Sequence, residues 1–85
     1  LVDGDVRAQA EQVMANLGAV LEAAGSGFER VVKCNVYLAR MSDFAVVNEV
    51  YGQRFPQGTA PARATVAVAT LPLNAMVEVD CLALA

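Results

Sequence analysis

The spacing of apolar residues predicts a long helix near the start of the chain. Over residues 5–24, apolar side chains recur at intervals of three and four, which places them on one face of a helix. Asp3 and Asp5 precede this pattern, where a carboxylate caps free N–H groups. Gly25 and Gly27 follow it, and glycine accepts the positive φ that commonly ends a helix.

A second apolar stripe predicts a shorter helix. Ser42 and Asp43 stand at its start, and Pro56 and Gly58 are expected to end it. The stripe consists of Phe44, Val47, Val50, Tyr51 and Phe55.

Alternating patterns predict strands at residues 30–39, 62–69 and 76–84. In the first strand, Val32, Cys34, Val36 and Leu38 share one face, and Val31, Lys33, Asn35 and Tyr37 share the other. Since residues 70–75 form a short connection, the last two strands are expected to be an antiparallel pair.

The order helix, strand, helix, strand, strand predicts an α+β fold, in which two helices cover one face of a small mixed sheet. The uncovered face is expected to carry Lys33, Asn35, Tyr37, Thr65, Glu78 and Asp80. Leu82 and Leu84 on an uncovered face would favour a partner surface.

Composition strengthens the case for assembly. Apolar residues make up 56% of the 85 residues, and so small a domain cannot bury that much apolar surface alone. No apolar run approaches the roughly 18 residues of a membrane span, so an oligomer is expected and a membrane is not. The net charge of −3 and the scattering of the six Lys and Arg residues argue against nucleic acid as the main ligand.

Histidine is absent, and the two cysteines, Cys34 and Cys81, lie far apart in sequence. This spacing fits neither a metal motif nor a dense disulfide framework, so the residues imply no metal. Two reduced thiols, together with the lack of a charged-then-apolar leader, predict a cytoplasmic protein.

Arg63 is the strongest candidate for chemistry. It follows Ala60-Pro61-Ala62 at a loop–strand junction, where a guanidinium is accessible and can bind a carboxylate through two hydrogen bonds. The plainer alternative is a surface arginine in a solvated ion pair.

Other candidates have equally ordinary alternatives. Glu78 and Asp80 lie two apart on one strand face, where a carboxylate could orient water, or where both could simply be solvated. Asn48 could bind a ligand or be an exposed helix residue, and Thr65 could line a pocket or be an ordinary strand residue. The residues alone indicate an oligomeric α+β domain with a possible carboxylate site at Arg63.

Several segments, in this order and spacing, resemble the Rid (reactive intermediate deaminase) family, formerly called YjgF. The segments are Val6–Gln12, Leu21–Gly25, Val31–Lys33, Asp43–Phe44, Val47–Tyr51, Pro61–Ala64, Val68–Ala69, Leu71–Pro72 and Val77–Asp80. The resemblance extends across residues 1–85 as one domain and matches the C-terminal two-thirds of a family subunit.

The resemblance implies a chorismate-mutase-like fold, a homotrimer with ligand clefts between subunits, and no metal or organic cofactor. It implies hydrolysis of 2-imino acids, such as 2-iminobutanoate and 2-iminopropanoate, to 2-keto acids and ammonia. Arg63 matches the arginine that binds the substrate carboxylate, and Glu78 matches the acid that positions water. Asn48 matches an asparagine near the site, and Thr65 matches a variable pocket position.

Two departures from the family pattern leave other functions open. The family's N-terminal strands are absent, which predicts an N-terminally truncated chain, and Ala60 replaces a phenylalanine, which would enlarge or reshape the pocket. The alternative is a non-catalytic trimer that binds small carboxylates or serves as a scaffold or chaperone. A ribonuclease or translation inhibitor, an older family label, conflicts with the negative charge.

Overall fold

The computed structural model of the chain describes residues 5–55 and 60–85. Its elements, in chain order, are α1 (Val6–Ala23), β1 (Val31–Leu38), α2 (Phe44–Gly52), β2 (Ala62–Ala67) and β3 (Val77–Ala83). Both helices pack on one face of a mixed three-stranded sheet, which confirms the predicted α+β class.

Helix α1 has the ends that its sequence predicts. Asp5 caps the first turn, since its Oδ1 accepts a hydrogen bond of 2.9 Å from the Ala8 N–H. At the other end, Gly25 has a φ of 77°, and the Ser26 N–H donates to the Leu21 carbonyl at 2.8 Å. This arrangement is the Schellman motif, for which glycine is preferred. Asp3 lies outside the described residues.

Helix α2 is shorter than its apolar stripe predicts. A 3-10 turn at Met41–Asp43 precedes it, and the Asp43 side chain makes no capping hydrogen bond. Phe55 lies beyond the helix but is buried, with its ring edge-on to Phe28 at a centroid distance of 5.4 Å. Pro56 and Gly58, which were expected to end the helix, lie outside the described residues.

The predicted antiparallel pair of β2 and β3 is wrong. The strand order is β2-β1-β3, with β2 parallel and β3 antiparallel to β1. The connection between β2 and β3 crosses the end of β1: Val68 donates to the Leu38 carbonyl, and Ala39 donates to the Met76 carbonyl. Because this connection passes the end of β1, it joins the two edge strands of the sheet, and β2 and β3 are not neighbours.

Two predicted strand faces also change. A register irregularity between Val31 and Lys33 makes Val31 buried and leaves Val32 exposed, the reverse of the prediction. In β2, Arg63 pairs with Cys34 and Thr65 pairs with Val36, so both lie on the helix-covered face. The prediction put Thr65 on the open face, and a one-residue difference in register exchanges the two faces of a strand.

The core lies between the helices and the sheet. Its fully buried members include Met14 of α1 and Cys34, Val36 and Leu38 of β1. Gln9 of α1 is buried with them, and its Oε1 accepts a hydrogen bond of 2.9 Å from the Met76 N–H. This bond pairs a buried polar group and fixes the connection that leads into β3.

Candidate functional site

Arg63 is held against helix α2 rather than extended into solvent. It is the second residue of β2, on the helix-covered face, and its Nη1 donates a hydrogen bond to Oδ1 of Asn48. A guanidinium has five N–H donors, so this contact leaves others for a ligand. The structure therefore brings the two candidate residues Arg63 and Asn48 together.

Aromatic rings also support the Arg63 guanidinium. Its Cζ lies 4.9 Å from the ring centroid of Tyr51 and 5.6 Å from that of Phe44. Both distances are within the range of a cation–π interaction, which orients the guanidinium and reduces its freedom. The apolar stripe of α2 predicts only a packing role for Tyr51 and Phe44. Their position three or four residues from Asn48 on α2 is the signal that could have associated them with Arg63.

A pocket of about 360 Å³ opens beside this group, lined by Asn48, Tyr51, Gly52, Ala60, Pro61 and Arg63. Arg63 is the charged residue in that lining. Ala60 is exposed at the rim, where its small side chain leaves space next to the guanidinium. A pocket with one positive group and an aromatic wall suits a small organic anion.

Two larger cavities lie away from Arg63, and their charges fit an anion less well. One, of about 430 Å³, has Arg40 and Asp43 in its lining, so its charges offset each other. The other, of about 680 Å³, has Glu22 and Glu29 beside Arg54, so it is acidic. Because net charge decides whether a carboxylate is attracted, the smaller pocket at Arg63 is the better candidate.

Tyr51 and Thr65 each carry a buried hydroxyl group; Tyr51 lines the Arg63 pocket, whereas Thr65, expected there from sequence, is not one of its lining residues. In the described part of the chain, Thr65 Oγ1 and the Tyr51 hydroxyl lack a hydrogen-bond partner. Burial raises the pKa of the Tyr51 hydroxyl above its ordinary range, and the adjacent Cys34 thiol adds to the shift. Tyr51 is therefore a neutral phenol at physiological pH, and its ring can face Arg63 without adding charge.

The predicted acids lie elsewhere, on the open face of the sheet. Glu78 pairs with Tyr37, and Asp80 pairs with Asn35. Asp80 accepts a hydrogen bond of 2.9 Å from Asn35 Nδ2, and the Tyr37 hydroxyl lies 3.4 Å from its other oxygen. Partial burial raises the pKa of Tyr37, and the negative charge of Asp80 raises it further. Glu78 and Asp80 share a face, as their spacing predicts.

The sheet separates Arg63 from Glu78. Their partners on β1, Cys34 and Tyr37, are three residues apart and so lie on opposite faces. The two residues also occupy opposite edge strands, β2 and β3. One chain therefore presents an arginine pocket on one side of its sheet and a carboxylate surface on the other.

The family model described as Endoribonuclease L-PSP matches residues 1–85. The chain belongs to this family, which includes the Rid and RutC proteins. The Synechocystis RutC family protein slr0709 is 57% identical over 81 residues, which are 95% of this chain and 62% of that protein. The 2-iminobutanoate/2-iminopropanoate deaminase of Mus musculus is 49% identical over 83 residues, which are 98% of this chain and 61% of that protein.

A solved structure has the same fold. Escherichia coli TdcF, crystallised with bound serine, superposes with a TM-score of 0.91 at 34% identity, over 100% of this chain and 68% of that one. The chain thus spans less than two-thirds of the length of the two curated relatives above.

Within residues 5–55 and 60–85, none of the helices combines the length and the apolar character needed to span a bilayer. The cytoplasmic location expected from sequence stays a prediction.

Proposed function

We propose that this Rid-family chain is the subunit of a deaminase that hydrolyses 2-imino acids to 2-keto acids and ammonia. The observation that carries the proposal is the Arg63 guanidinium, held by Asn48 and two aromatic rings at the wall of a small pocket. Its size and charge suit the carboxylate end of a small imino acid. The name of the mouse relative supports the reaction class.

The proposed chemistry divides between binding and water activation. Arg63 fixes the substrate carboxylate through two hydrogen bonds, with Asn48 holding the guanidinium and Tyr51 in the pocket wall. The imine carbon is electrophilic, so a water molecule oriented by the Glu78 carboxylate can add to it. Glu78 takes one proton from that water and passes it to the imine nitrogen, which gives a carbinolamine. The second proton moves from the carbinolamine hydroxyl to the amino group as the C–N bond breaks, which leaves the 2-keto acid and ammonia.

The two functional residues of one site come from different subunits in this proposal. Arg63 and Glu78 of the same chain are on opposite faces of the sheet, so neither can reach the other through it. The open face also carries exposed apolar side chains, Val66 and Leu82, which favour contact with another copy. We therefore propose a homotrimer whose sites lie in the clefts between neighbouring subunits, with closed cyclic symmetry.

Replacing Arg63 by alanine tests the binding role. In Arg63→Ala, kcat/KM for 2-iminobutanoate should fall by about 100-fold or more, because loss of charge-assisted hydrogen bonds to a carboxylate costs about 3 kcal/mol. Arg54→Ala is the matched control, since Arg54 also stacks on an aromatic ring, Phe28 at 5.9 Å, but lies in the acidic cavity. It should keep full turnover.

Turnover unchanged in Arg63→Ala would contradict the proposal. If the wild-type protein instead bound 2-oxobutanoate in calorimetry and hydrolysed no imine, the non-catalytic carboxylate-binding function would replace the enzyme. Circular dichroism and native mass of both variants keep loss of folding distinct from loss of binding.

Mixing two inactive variants tests whether each site is shared between subunits. Arg63→Ala and Glu78→Gln are denatured together in equal amounts and refolded. If the chains assort at random, Arg63 is present at about half of the sites, and so is Glu78 from the neighbouring chain. About a quarter of the sites should therefore contain both residues. If the mixture is no more active than the separate variants, Arg63 and Glu78 do not act together across an interface.

A further inference from the structure

Cys34 and Cys81, far apart in sequence, face each other in the sheet. They are directly opposite in the antiparallel ladder of β1 and β3, on the helix-covered face. The register irregularity lies between Val31 and Lys33, beyond this pair, so the ladder is continuous from Lys33 to Leu38. Both cysteines are free thiols.

The hydrogen-bond pattern shows which kind of pair they form. Opposite residues in an antiparallel ladder alternate between hydrogen-bonded and non-hydrogen-bonded pairs. The Ala39 N–H donates to its opposite residue, Met76, at 3.0 Å, so that pair is hydrogen-bonded. Cys34 and Cys81 are five positions further along, an odd number, so they form a non-hydrogen-bonded pair.

This type of pair suits a disulfide. Its Cα atoms are typically about 4.5 Å apart with the side chains close together, whereas disulfides require a Cα separation of roughly 4.4–6.8 Å. The pairing of Cys34 with Cys81 therefore fits the backbone geometry that a disulfide requires.

Accessibility gives the two thiols different roles. Cys34 is 0% exposed, whereas Cys81 is only partly buried. Burial raises the pKa of both thiols, and the neighbouring Cys34 raises the pKa of Cys81 further. A small oxidant reaches Cys81 first, and Cys34 is the thiol available to react with the oxidised product.

We propose that Cys34 and Cys81 form an oxidation site that hydrogen peroxide closes to a reversible intrachain disulfide. The Cys81 thiolate attacks one peroxide oxygen, the O–O bond breaks, and the other oxygen leaves as water after taking up a proton. The resulting sulfenic acid is attacked by the Cys34 sulfur, the S–S bond forms, and the sulfenic oxygen leaves as a second water. Two thiols lose two hydrogen atoms in total, and one peroxide becomes two waters.

The crosslink lies next to the Arg63 pocket. Arg63 is the β2 partner of Cys34, and the Tyr51 ring that supports its guanidinium packs in the same core. A disulfide draws the Cys34 sulfur toward β3 and away from the Tyr51 hydroxyl, which lies beside it in the core. Oxidation is therefore expected to raise KM for 2-iminobutanoate several-fold. This effect on KM rests on the proposed function, whereas formation of the disulfide does not depend on it.

Mass spectrometry of the native protein tests the site directly. After treatment with hydrogen peroxide and alkylation under denaturing conditions, the chain should carry no alkyl group. Its mass should be about 2 Da below that of the reduced chain before alkylation. Trypsin should release residues 34–40 joined to residues 64–85, and dithiothreitol should separate them. The peptide analysis also distinguishes this product from oxidation of the three methionines.

Single variants make the assignment specific. Cys81→Ser should prevent the crosslink and leave Cys34 reduced, because Cys34 is buried. Cys34→Ser should instead trap a sulfenic acid at Cys81, which dimedone labels. Two alkylated thiols after peroxide treatment, or a disulfide between chains, would overturn the oxidation site. A crosslink that leaves KM unchanged would refute its effect on Arg63 and not the site, and it would leave the deaminase proposal untouched.

Discussion

The two faces of the sheet are built from alternate residues of the same strands, yet they differ in almost every property. On the helix-covered face, Cys34 and Leu38 of β1 are 0% exposed and pack with both helices. On the open face, Asn35 and Tyr37 contact Asp80 at the surface of the described chain. The covered face stabilises the subunit, and the open face retains polar groups and exposed leucines that need another surface.

The two faces also carry different parts of the proposed chemistry. The covered face provides Arg63 with rigid support from α2, because packed rings and an amide fix the guanidinium before a ligand arrives. The open face presents Glu78 on a strand edge with few constraints from its own chain. A site that needs both residues therefore depends on assembly, whereas the arginine pocket depends on folding alone.

Truncating the covered face should have the largest effect on stability. Leu38→Ala removes a fully buried side chain, so the free energy of unfolding should fall by about 2–5 kcal/mol. Val20→Ala is the control, since Val20 is an apolar residue with 65% exposure and should change stability by roughly 0.5 kcal/mol or less. Urea denaturation measures both. Equal losses would mean that burial between the helices and the sheet is not what stabilises the subunit.

Charging the open face should disrupt assembly and leave the subunit folded. Leu82 pairs with Lys33 on that face and is 66% exposed. Leu82→Asp should weaken the proposed trimer at least about tenfold, which corresponds to roughly 1.4 kcal/mol. Sedimentation equilibrium measures the association, and circular dichroism checks the fold. A trimer as stable as that of the wild type would show that this face is not the interface.

Alkaline pH should weaken the covered face by a smaller amount. Burial raises the pKa of the Cys34 and Cys81 thiols above their ordinary value of 9.0. Between that value and the raised one, the unfolded chain loses protons that the folded chain keeps, so stability falls as pH rises. The unfolding temperature should therefore drop by a few degrees more in the wild type than in Cys34→Ala between pH 8 and pH 10. Parallel decreases in the two proteins would exclude the thiol as the cause.

Much of the local structure follows from sequence because its causes are local. Asp5 and Gly25 bound α1 through contacts with their own neighbours in the chain, so a residue pattern suffices to predict them. Strand positions follow from alternation, and the family resemblance supplied Arg63, Asn48, Thr65 and Glu78 as site residues. The excess of apolar residues likewise indicated a partner surface before any contact was known.

Only the tertiary structure decided which strands are neighbours and which residues share a face. Alternation is equally compatible with either register, so the pairing of Arg63 with Cys34 had to come from the fold. The same pairing placed Thr65 under the helices and separated Arg63 from Glu78. Cys34 and Cys81 meet for the same reason: strand pairing is a long-range contact, chosen by how the core packs rather than by distance along the chain.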